Sequence, residues 1–315
     1  MNIIFALTYT GDSGPNAPAS VVGKFASPDE QSMASGVATG TYMREVQFYS
    51  QIHSTISMRV PCLYCVDANP DVTVAEFVIL MEDMSPAEQG DQIVGCDEPT
   101  AHLAVRELAG LHAPWWGSAA LDDHPWLSGR DPKNLANLQF LVTMVWPGFW
   151  AAYGSELPEY AEAVGVALCE RIVAYLTIEG PETIVHGDYR LDNMLFSSVE
   201  GAPPITIVDW QTPGRSLGAS DVAYFIGTSV LPQDRARIEH DLVRTYHSAL
   251  VELGVTGYSY EQCFADYRRT ILAGFIMAVI ASQLVSTDER GHAMFVAMAA
   301  RSVIAAHELG VIPEM

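Results

Sequence analysis

Positive charge is scarce in this sequence, and the deficit limits what the protein can bind. The chain of 315 residues has 16 lysines and arginines against 38 aspartates and glutamates, a formal net charge of −22 at pH 7. A field of this sign repels nucleic acids and anionic membrane surfaces, so we expect neither as a partner. An anionic ligand would therefore need cations placed close to it. Only two of the cations are lysines, Lys24 and Lys133.

Cysteines and long apolar runs are also few. The five cysteines are an odd number and lie far apart, which argues against the disulfide framework of a secreted protein. Cys62 and Cys65 form a CxxC pair, but no second pair or nearby histidine pair completes a zinc site, so their role stays open. No basic segment precedes the apolar run MNIIFAL, and no stretch of 18 or more apolar residues occurs. We expect a cytoplasmic protein that does not insert into a membrane.

The hydrophobic content of 49% indicates a globular chain that can bury a core, and the two kinds of periodicity along it indicate an α+β protein. Residues 1–84 read as strands in NIIFALTY, SVVGKFA and AEFVILMEDM, interrupted by one amphipathic helix over 37–53. Residues 85–98 change in composition and predict a linker. Residues 99–315 are mostly helical. The predicted helices there are 99–113, 134–153, 159–178, 234–253, 261–285 and 288–309.

A short polar motif, VHGDYRLDN at 185–193, interrupts the helical half. The runs MLFSS and ITIVDW that follow it flank the turn-like VEGAPP and predict a β-hairpin over 194–209. With the turn centred near residue 201, Asn193 and Asp209 would lie opposite one another. Asp188 would lie on the loop that enters the same end of the hairpin.

These residue types suit phosphate transfer. A carboxylate and an amide oxygen, as in Asp209 and Asn193, are hard ligands of the kind that Mg²⁺ prefers, and Asp188 could orient a hydroxyl and accept its proton. Lys24 lies within an apolar strand, where an unpaired ammonium is costly to bury. Glu45 on the predicted helix is its expected partner, which would complete a set of groups for transfer from ATP.

The runs IVHGDYRLDNMLF and ITIVDWQTPGRSLGASDVAYF resemble the aminoglycoside phosphotransferase and choline kinase superfamily, most closely its ecdysteroid-kinase-like bacterial branch. The segments LHAPWWGS, VWPGFWAAYG and ELGVTGYSYEQC add to the resemblance, which covers about residues 1–310. It implies a protein-kinase-like bilobal fold, with a small β-rich N-lobe over 1–84 and a larger, mostly helical C-lobe over 99–315. It also implies an enzyme that uses ATP and Mg²⁺ to phosphorylate a hydroxyl of a small molecule.

By motif position the resemblance assigns four roles around the short motif. Asp188 resembles the catalytic base. Arg190 stands where a cation meets the transferred phosphate. Asn193 and Asp209 resemble the two Mg²⁺ ligands.

Four further residues are implied to bind the nucleotide. Lys24 resembles the phosphate-binding lysine and Glu45 its helix partner, while the backbone near Glu82 and Met84 would meet adenine. The family normally has one more strand and a phosphate-covering loop before the strand NIIFALTY, so we expect both to be missing here.

Several alternatives stay open. A non-catalytic nucleotide-binding pseudokinase would fit a missing phosphate loop, and a metal-dependent phosphoester hydrolase would fit the aspartates without needing Lys24. Asp221 could brace the loop or cap a helix, whereas His186 is expected to shape the loop through backbone hydrogen bonds. The acceptor, the choice between ATP and GTP, and the oligomeric state are not predicted.

Overall fold

Two units, each made from two separate stretches of the chain, organise the fold. The computed structural model describes residues 1–311 except 13, 15, 16, 72–74, 128, 130, 131, 178 and 286. The first unit comprises Met1–Glu88 with Met194–Thr212, and the second comprises Gln89–Asn193 with Pro213–Met315. A β-sheet dominates the first unit and helices dominate the second, so the predicted α+β class is confirmed.

The first unit is built on a four-stranded antiparallel sheet in the order β1-β2-β4-β3. Its strands are β1 (Asn2–Ala6), β2 (Ser20–Lys24), β3 (Leu63–Ala68) and β4 (Phe77–Glu82). β4 buries every second residue, as a strand with one face on a core should. β3 was not predicted, because most of its residues are exposed or half-buried and show no such alternation.

Two short helices pack in the same unit. They are α1 (Glu30–Thr39) and α2 (Thr41–Gln47), and a π-helical turn over Phe48–Ile52 continues α2. The single predicted helix over 37–53 is therefore wrong in its bounds. Gly40 separates the two helices with a left-handed φ of 71°, a conformation that glycine adopts without steric penalty.

The hairpin over 194–209 is present in the first unit as β7 (Met194–Phe196) and β8 (Ile205–Ile207). Its register pairs Met194 with Ile207, one residue away from the predicted pairing. Continuing this register would set Asn193 against Val208, so the predicted opposition of Asn193 and Asp209 is wrong. The turn is centred half a residue before the predicted centre at residue 201.

The second unit contains eight α-helices, four short 3-10 helices and a two-stranded antiparallel sheet among its described residues. The α-helices are α3 (Glu98–His112), α4 (Pro132–Tyr153), α5 (Ala161–Leu176), α6 (Ala219–Ser229), α7 (Pro232–Glu252), α8 (Tyr260–Arg269), α9 (Ala273–Leu284) and α10 (Glu289–Glu308). The strands are β6 (Glu182–Val185) and β9 (Gly214–Leu217), while β5 (Glu88–Gln89) marks the passage from one unit to the other.

Five of the six predicted helices of this half are present, and 261–285 is two helices, α8 and α9. α6 was not predicted, because nearly all of its residues are buried. It therefore has no polar face, and its sequence does not show the helical repeat of apolar and polar residues. No helix in the described part of the chain is long and apolar enough to cross a membrane.

Candidate functional site

A buried lysine joins two carboxylates in the first unit. Lys24 is the last residue of β2, Glu45 lies on α2, and Asp209 follows β8. The Lys24 Nζ donates to Glu45 Oε1 at 2.7 Å and to Asp209 Oδ1 at 2.8 Å. The Glu45 side chain is fully buried, whereas that of Asp209 is 38% exposed. The predicted contact between Lys24 and Glu45 is present, and Asp209 joins it.

Lys24, Glu45 and Asp209 form a lysine cluster, in which one cation faces two carboxylates. Burial lowers the pKa of Lys24, but the carboxylates of Glu45 and Asp209 outweigh it and hold the pKa above its usual value. Burial raises the pKa of Glu45, an effect that Lys24 offsets in part and the Asp209 charge reinforces. The ammonium thus has two anionic neighbours, and it is also the main charge that lowers the pKa of Glu45.

The segment Asp209–Gln211, which begins two residues after β8, packs against the pair of Lys24 and Glu45. Asp209 has a left-handed φ of 67°, which is uncommon for any residue but glycine and is best tolerated by Asn and Asp. Trp210 N donates to Glu45 Oε1 at 3.3 Å, and Gln211 Nε2 donates to Glu45 Oε2 at 3.4 Å. The Trp210 ring stacks on Phe48 with 3.7 Å between centroids. This packing fixes the backbone that carries Asp209.

Adenine contacts are predicted at the end of β4, where two backbone groups already form hydrogen bonds within the protein. Glu82 N donates to the Cys62 carbonyl at 2.9 Å, and Met84 O accepts from Ala87 N at 2.8 Å. The Glu82 carboxylate accepts from Arg59 Nη2 at 2.6 Å and from Cys62 N at 3.0 Å. An adenine edge would therefore have to use the Glu82 carbonyl and the Met84 N–H, and this role stays a prediction.

In the second unit, a carboxylate on α6 holds the loop that follows β6. Asp221 Oδ2 accepts from His186 N at 2.6 Å, and Asp221 Oδ1 accepts from Gly187 N at 3.0 Å. Gly187 has a φ of 79°, a left-handed conformation that glycine adopts without steric penalty. His186 Nδ1 accepts from Asp188 N at 3.2 Å. Of the two interpretations of Asp221, bracing of the loop is therefore correct, and His186 shapes the loop as expected.

Three side chains donate hydrogen bonds to the carboxylate of Asp188. Tyr224 Oη donates to Oδ1 at 2.6 Å, and Asn193 Nδ2 donates to Oδ2 at 2.9 Å. Arg190 Nε lies 3.0 Å from Oδ1 and 3.1 Å from Oδ2. Burial lowers the pKa of Arg190, but Asp188, Tyr224 and Asp192 together outweigh that effect and hold the pKa above its ordinary value. The carboxylate is thus fixed in orientation on both of its oxygens.

A second aspartate of the same loop, which sequence reasoning missed, also binds Arg190. Asp192 Oδ2 accepts from Arg190 Nη1 at 2.7 Å, and Asp192 Oδ1 accepts from Gln92 N at 3.0 Å and from Arg290 Nη2 at 3.1 Å. These donors hold the pKa of Asp192 below its usual value although burial opposes them. Arg190 therefore lies between two aspartates, Asp188 and Asp192.

Asn193 and Asp209 are the predicted ligands of Mg²⁺, and each has an oxygen that could bind a cation. Within the residues that the structure describes, no group of three or more His, Cys, Asp or Glu side chains could hold a metal ion. Mg²⁺ commonly takes one or two protein oxygens and completes its shell with phosphate and water. Asn193, in the second unit, uses its amide nitrogen on Asp188, so its amide oxygen is the atom that remains for a cation. Asp209, in the first unit, has a partly exposed carboxylate. That the two bind one ion stays a prediction.

Known proteins share this architecture. Residues 147–256 match the model of the Ecdysteroid kinase-like family. The choline kinase of Cryptosporidium parvum superposes with a TM-score of 0.56 at 7% identity, over 99% of this chain and 89% of that one. The ethanolamine kinase of Plasmodium vivax gives 0.54 at 13% identity, over 91% and 75%. The chain has the fold of the choline and ethanolamine kinases.

An aminoglycoside phosphotransferase and a mouse protein are also similar to parts of this chain. The GDP complex of wild-type aminoglycoside 2′-phosphotransferase-IIIa has a TM-score of 0.53 at 11% identity, over 90% of this chain and 86% of that one. The superfamily resemblance that the sequence predicted is confirmed. A stretch of 76 residues, 23% of the chain, is 34% identical to acyl-CoA dehydrogenase family member 10 of Mus musculus. The match spans only 7% of that protein's length.

The contact of Tyr224 with Asp188 was missed at the sequence level. A signal for it existed, because Tyr224 follows Asp221 by three residues in SDVAYF, and residues at this spacing share a helix face. The signal could be used only if α6 had been predicted as a helix.

Proposed function

We propose that this protein is a kinase of small molecules, which transfers a phosphoryl group from a nucleoside triphosphate to an alcohol hydroxyl. The match to the Ecdysteroid kinase-like family and the fold of choline and ethanolamine kinases support this proposal. The single observation that carries it is the buried lysine cluster, in which Lys24 contacts both Glu45 and Asp209.

The lysine cluster suits a phosphate site better than a structural ion pair. A buried ion pair alone contributes little net stability, because desolvation of both charges offsets their attraction. Here the ammonium has a second carboxylate, that of Asp209, which is partly exposed and therefore accessible to a ligand. In this proposal, Lys24, held by Glu45 and in contact with Asp209, would bind phosphate oxygens next to the proposed metal ligand.

The nucleotide is proposed to be ATP, with GTP as the alternative that an assay must decide. Adenine would accept from the Met84 N–H and donate to the Glu82 carbonyl, because Glu82 N–H and Met84 C=O already have backbone partners. A guanine base presents a different edge to the same two groups. The aminoglycoside phosphotransferase with a similar fold was solved as a GDP complex, so both nucleotides belong in the test.

Asn193 and Asp209 are the residues that would hold Mg²⁺. When bound there, the ion would neutralise charge on the phosphate oxygens. The protein's own groups do the rest. Lys24 would position the phosphates, and Asp188, with its carboxylate plane held by donors on both oxygens, would orient the acceptor hydroxyl and receive its proton. Arg190, held between two aspartates, would supply positive charge near the transferred group.

The deciding experiment compares the parent with Asp188→Asn. Each protein is incubated with Mg·ATP or Mg·GTP and a panel of alcohols comprising an aminoglycoside, a sugar, a macrolide, choline, ethanolamine and an ecdysteroid. Formation of nucleoside diphosphate and of the phosphorylated alcohol is measured. We expect transfer by the parent and a loss of about 10² to 10⁴ in rate for the variant, because the change keeps the size of the side chain but removes its basicity.

The binding of Mg·ATP is measured on both proteins by calorimetry, and Asp241→Asn, at an exposed position of α7, serves as the matched control. Nucleotide affinity should be retained in all three proteins. Nucleotide binding without transfer to any alcohol would support the pseudokinase and reject the enzyme. Release of inorganic phosphate that no alcohol stimulates would support the hydrolase.

A further inference from the structure

One face of α6 carries two polar side chains directed at the same loop. Asp221 accepts hydrogen bonds from the backbone N–H groups of His186 and Gly187. Tyr224, three residues later and hence on the same face, donates to the side chain of Asp188. The helix therefore holds both the backbone before Asp188 and the carboxylate itself.

We propose that Tyr224 is a positioning residue for Asp188, which sets the plane of its carboxylate through the hydrogen bond to Oδ1. This inference rests on the proposed function, because it assigns to Tyr224 an effect on the hydroxyl-orienting role of Asp188. Tyr224 does not need to touch a substrate to act in this way.

The three donors to Asp188 are not equivalent. Arg190 Nε lies 3.0 Å from one oxygen and 3.1 Å from the other, so it stabilises the negative charge without distinguishing the two oxygens. Tyr224 and Asn193 each contact one oxygen only, Oδ1 and Oδ2 respectively. Rotation of the carboxylate about its Cβ–Cγ bond would stretch both contacts. Tyr224 also makes the shortest of these contacts, at 2.6 Å.

The environment of Tyr224 keeps its hydroxyl in the donor form. The side chain is buried, and burial followed by the neighbouring charge of Asp188 raises its pKa well above the ordinary value. An ionised carboxylate only accepts hydrogen bonds, so the proton of this contact belongs to the tyrosine. The direction of the hydrogen bond is therefore the same throughout the neutral range of pH.

The test removes one oxygen atom with Tyr224→Phe. Tyr189→Phe is the matched control, because Tyr189 is also buried and is adjacent to Asp188 in sequence, yet its hydroxyl donates to the Ala104 carbonyl at 2.8 Å. With Mg·ATP and the best acceptor of the alcohol panel, Tyr224→Phe should lower kcat by roughly 10- to 100-fold. Its KM for Mg·ATP should stay within about twofold of the parent, because the lost hydrogen bond would stabilise the transition state and not the binding of nucleotide. Tyr189→Phe should leave kcat within about twofold, which would separate loss of orientation from loss of packing.

A double-mutant cycle with Asp188→Asn decides whether Tyr224 acts through Asp188. If it does, adding Tyr224→Phe to Asp188→Asn should change kcat by less than about twofold, since the group to be oriented is already lost. The unfolding midpoint of each variant in urea, followed by circular dichroism, shows that every protein compared is folded.

Each outcome of the cycle has one meaning. Losses in kcat that multiply would show that Tyr224 acts elsewhere and would overturn the inference while leaving the kinase intact. A change in KM alone would overturn it in the same way. Absence of transfer by the folded parent would overturn the proposed function, and the inference with it.

Discussion

Replacing Lys24 by methionine should destabilise the first unit more than any other conservative change in the lysine cluster. The variant keeps the length of the side chain but leaves Glu45, which is fully buried, with the Trp210 and Gln211 donors at 3.3 and 3.4 Å. Removing one partner of a buried ion pair costs about 3–5 kcal/mol, because the remaining charge is uncompensated. We expect Lys24→Met to lie in that range.

The converse change should cost less, because Lys24 has a second carboxylate. In Glu45→Gln the ammonium retains Asp209 at 2.8 Å, so the loss is that of one charge-assisted hydrogen bond, about 1.5–3 kcal/mol. The double variant Lys24→Met with Glu45→Gln removes the uncompensated charge. It should therefore be more stable than Lys24→Met alone by at least about 1 kcal/mol.

The assay can be confined to the first unit. Trp210 is the one tryptophan of the six that lies in that unit, and it is fully buried on Phe48. With 5-fluorotryptophan in the protein, its ¹⁹F resonance, assigned by Trp210→Phe, reports unfolding of this unit in urea. Lys133→Met, at the only other lysine of the chain and an exposed position, is the control and should change stability by less than about 0.5 kcal/mol.

The dependence on pH provides a second test of the same reasoning. In the parent, the pKa of Lys24 is raised, so its contribution to stability is present below the ordinary lysine value and is lost as the pH rises through the raised value. In Lys24→Met the lowering effect on Glu45 is gone, so Glu45 binds a proton more readily when folded. The deficit should therefore shrink as the pH falls toward about 5. Equal stability of Lys24→Met and the parent at pH 7, or a larger loss in Glu45→Gln than in Lys24→Met, would refute the reasoning.

Three further predictions concern other parts of the molecule. Asp209→Asn removes a carboxylate charge at the proposed metal site, so titration of nucleotide binding with Mg²⁺ should show a weaker response than in the parent; an unchanged titration would reject the ligand. Asp221→Ala leaves two loop N–H groups without their acceptor and should lower the free energy of unfolding by about 3 kcal/mol, measured in urea, whereas a loss below about 1 kcal/mol would mean that water replaces the carboxylate. In the native protein, the exposed Cys62 and Cys65 should react first with a thiol reagent at pH 8, while Cys263, whose pKa burial raises to about 12, should react only on unfolding, which timed absorbance with and without urea will show.

The sequence predicted helices and strands best where one face of the element is buried and the other is exposed to solvent. β4 and the long helices of the second half have such faces, and they lie where periodicity placed them. α6 is buried on almost all sides and β3 is exposed over much of its length. Neither element therefore has the alternation of apolar and polar residues from which a helix or strand is predicted. Polarity patterns report contrast between faces, and both elements lack it.

A contact in the candidate site could be predicted where a charged residue lies in an apolar segment, because burial of that charge requires a partner of opposite sign. Lys24 in an apolar strand required an acid, and the next helix offered Glu45. Asp192 lies in a polar loop, where an aspartate is common, so the sequence did not indicate that it needs a partner. Its contacts with Gln92 and Arg290 join residues about 100 positions apart, and such pairing depends on tertiary packing that spacing does not encode.

The backbone at Asp209 also determines which substitutions this position can accept. A φ of 67° favours Gly, Asn and Asp, and it strains residues with bulky or branched side chains. Contact with the Lys24 ammonium favours an anionic side chain, hence Asp or Glu. Only aspartate belongs to both sets. A saturation library at this codon should therefore divide into variants that keep the fold, headed by Asn and Gly, and a single residue that keeps fold and charge together.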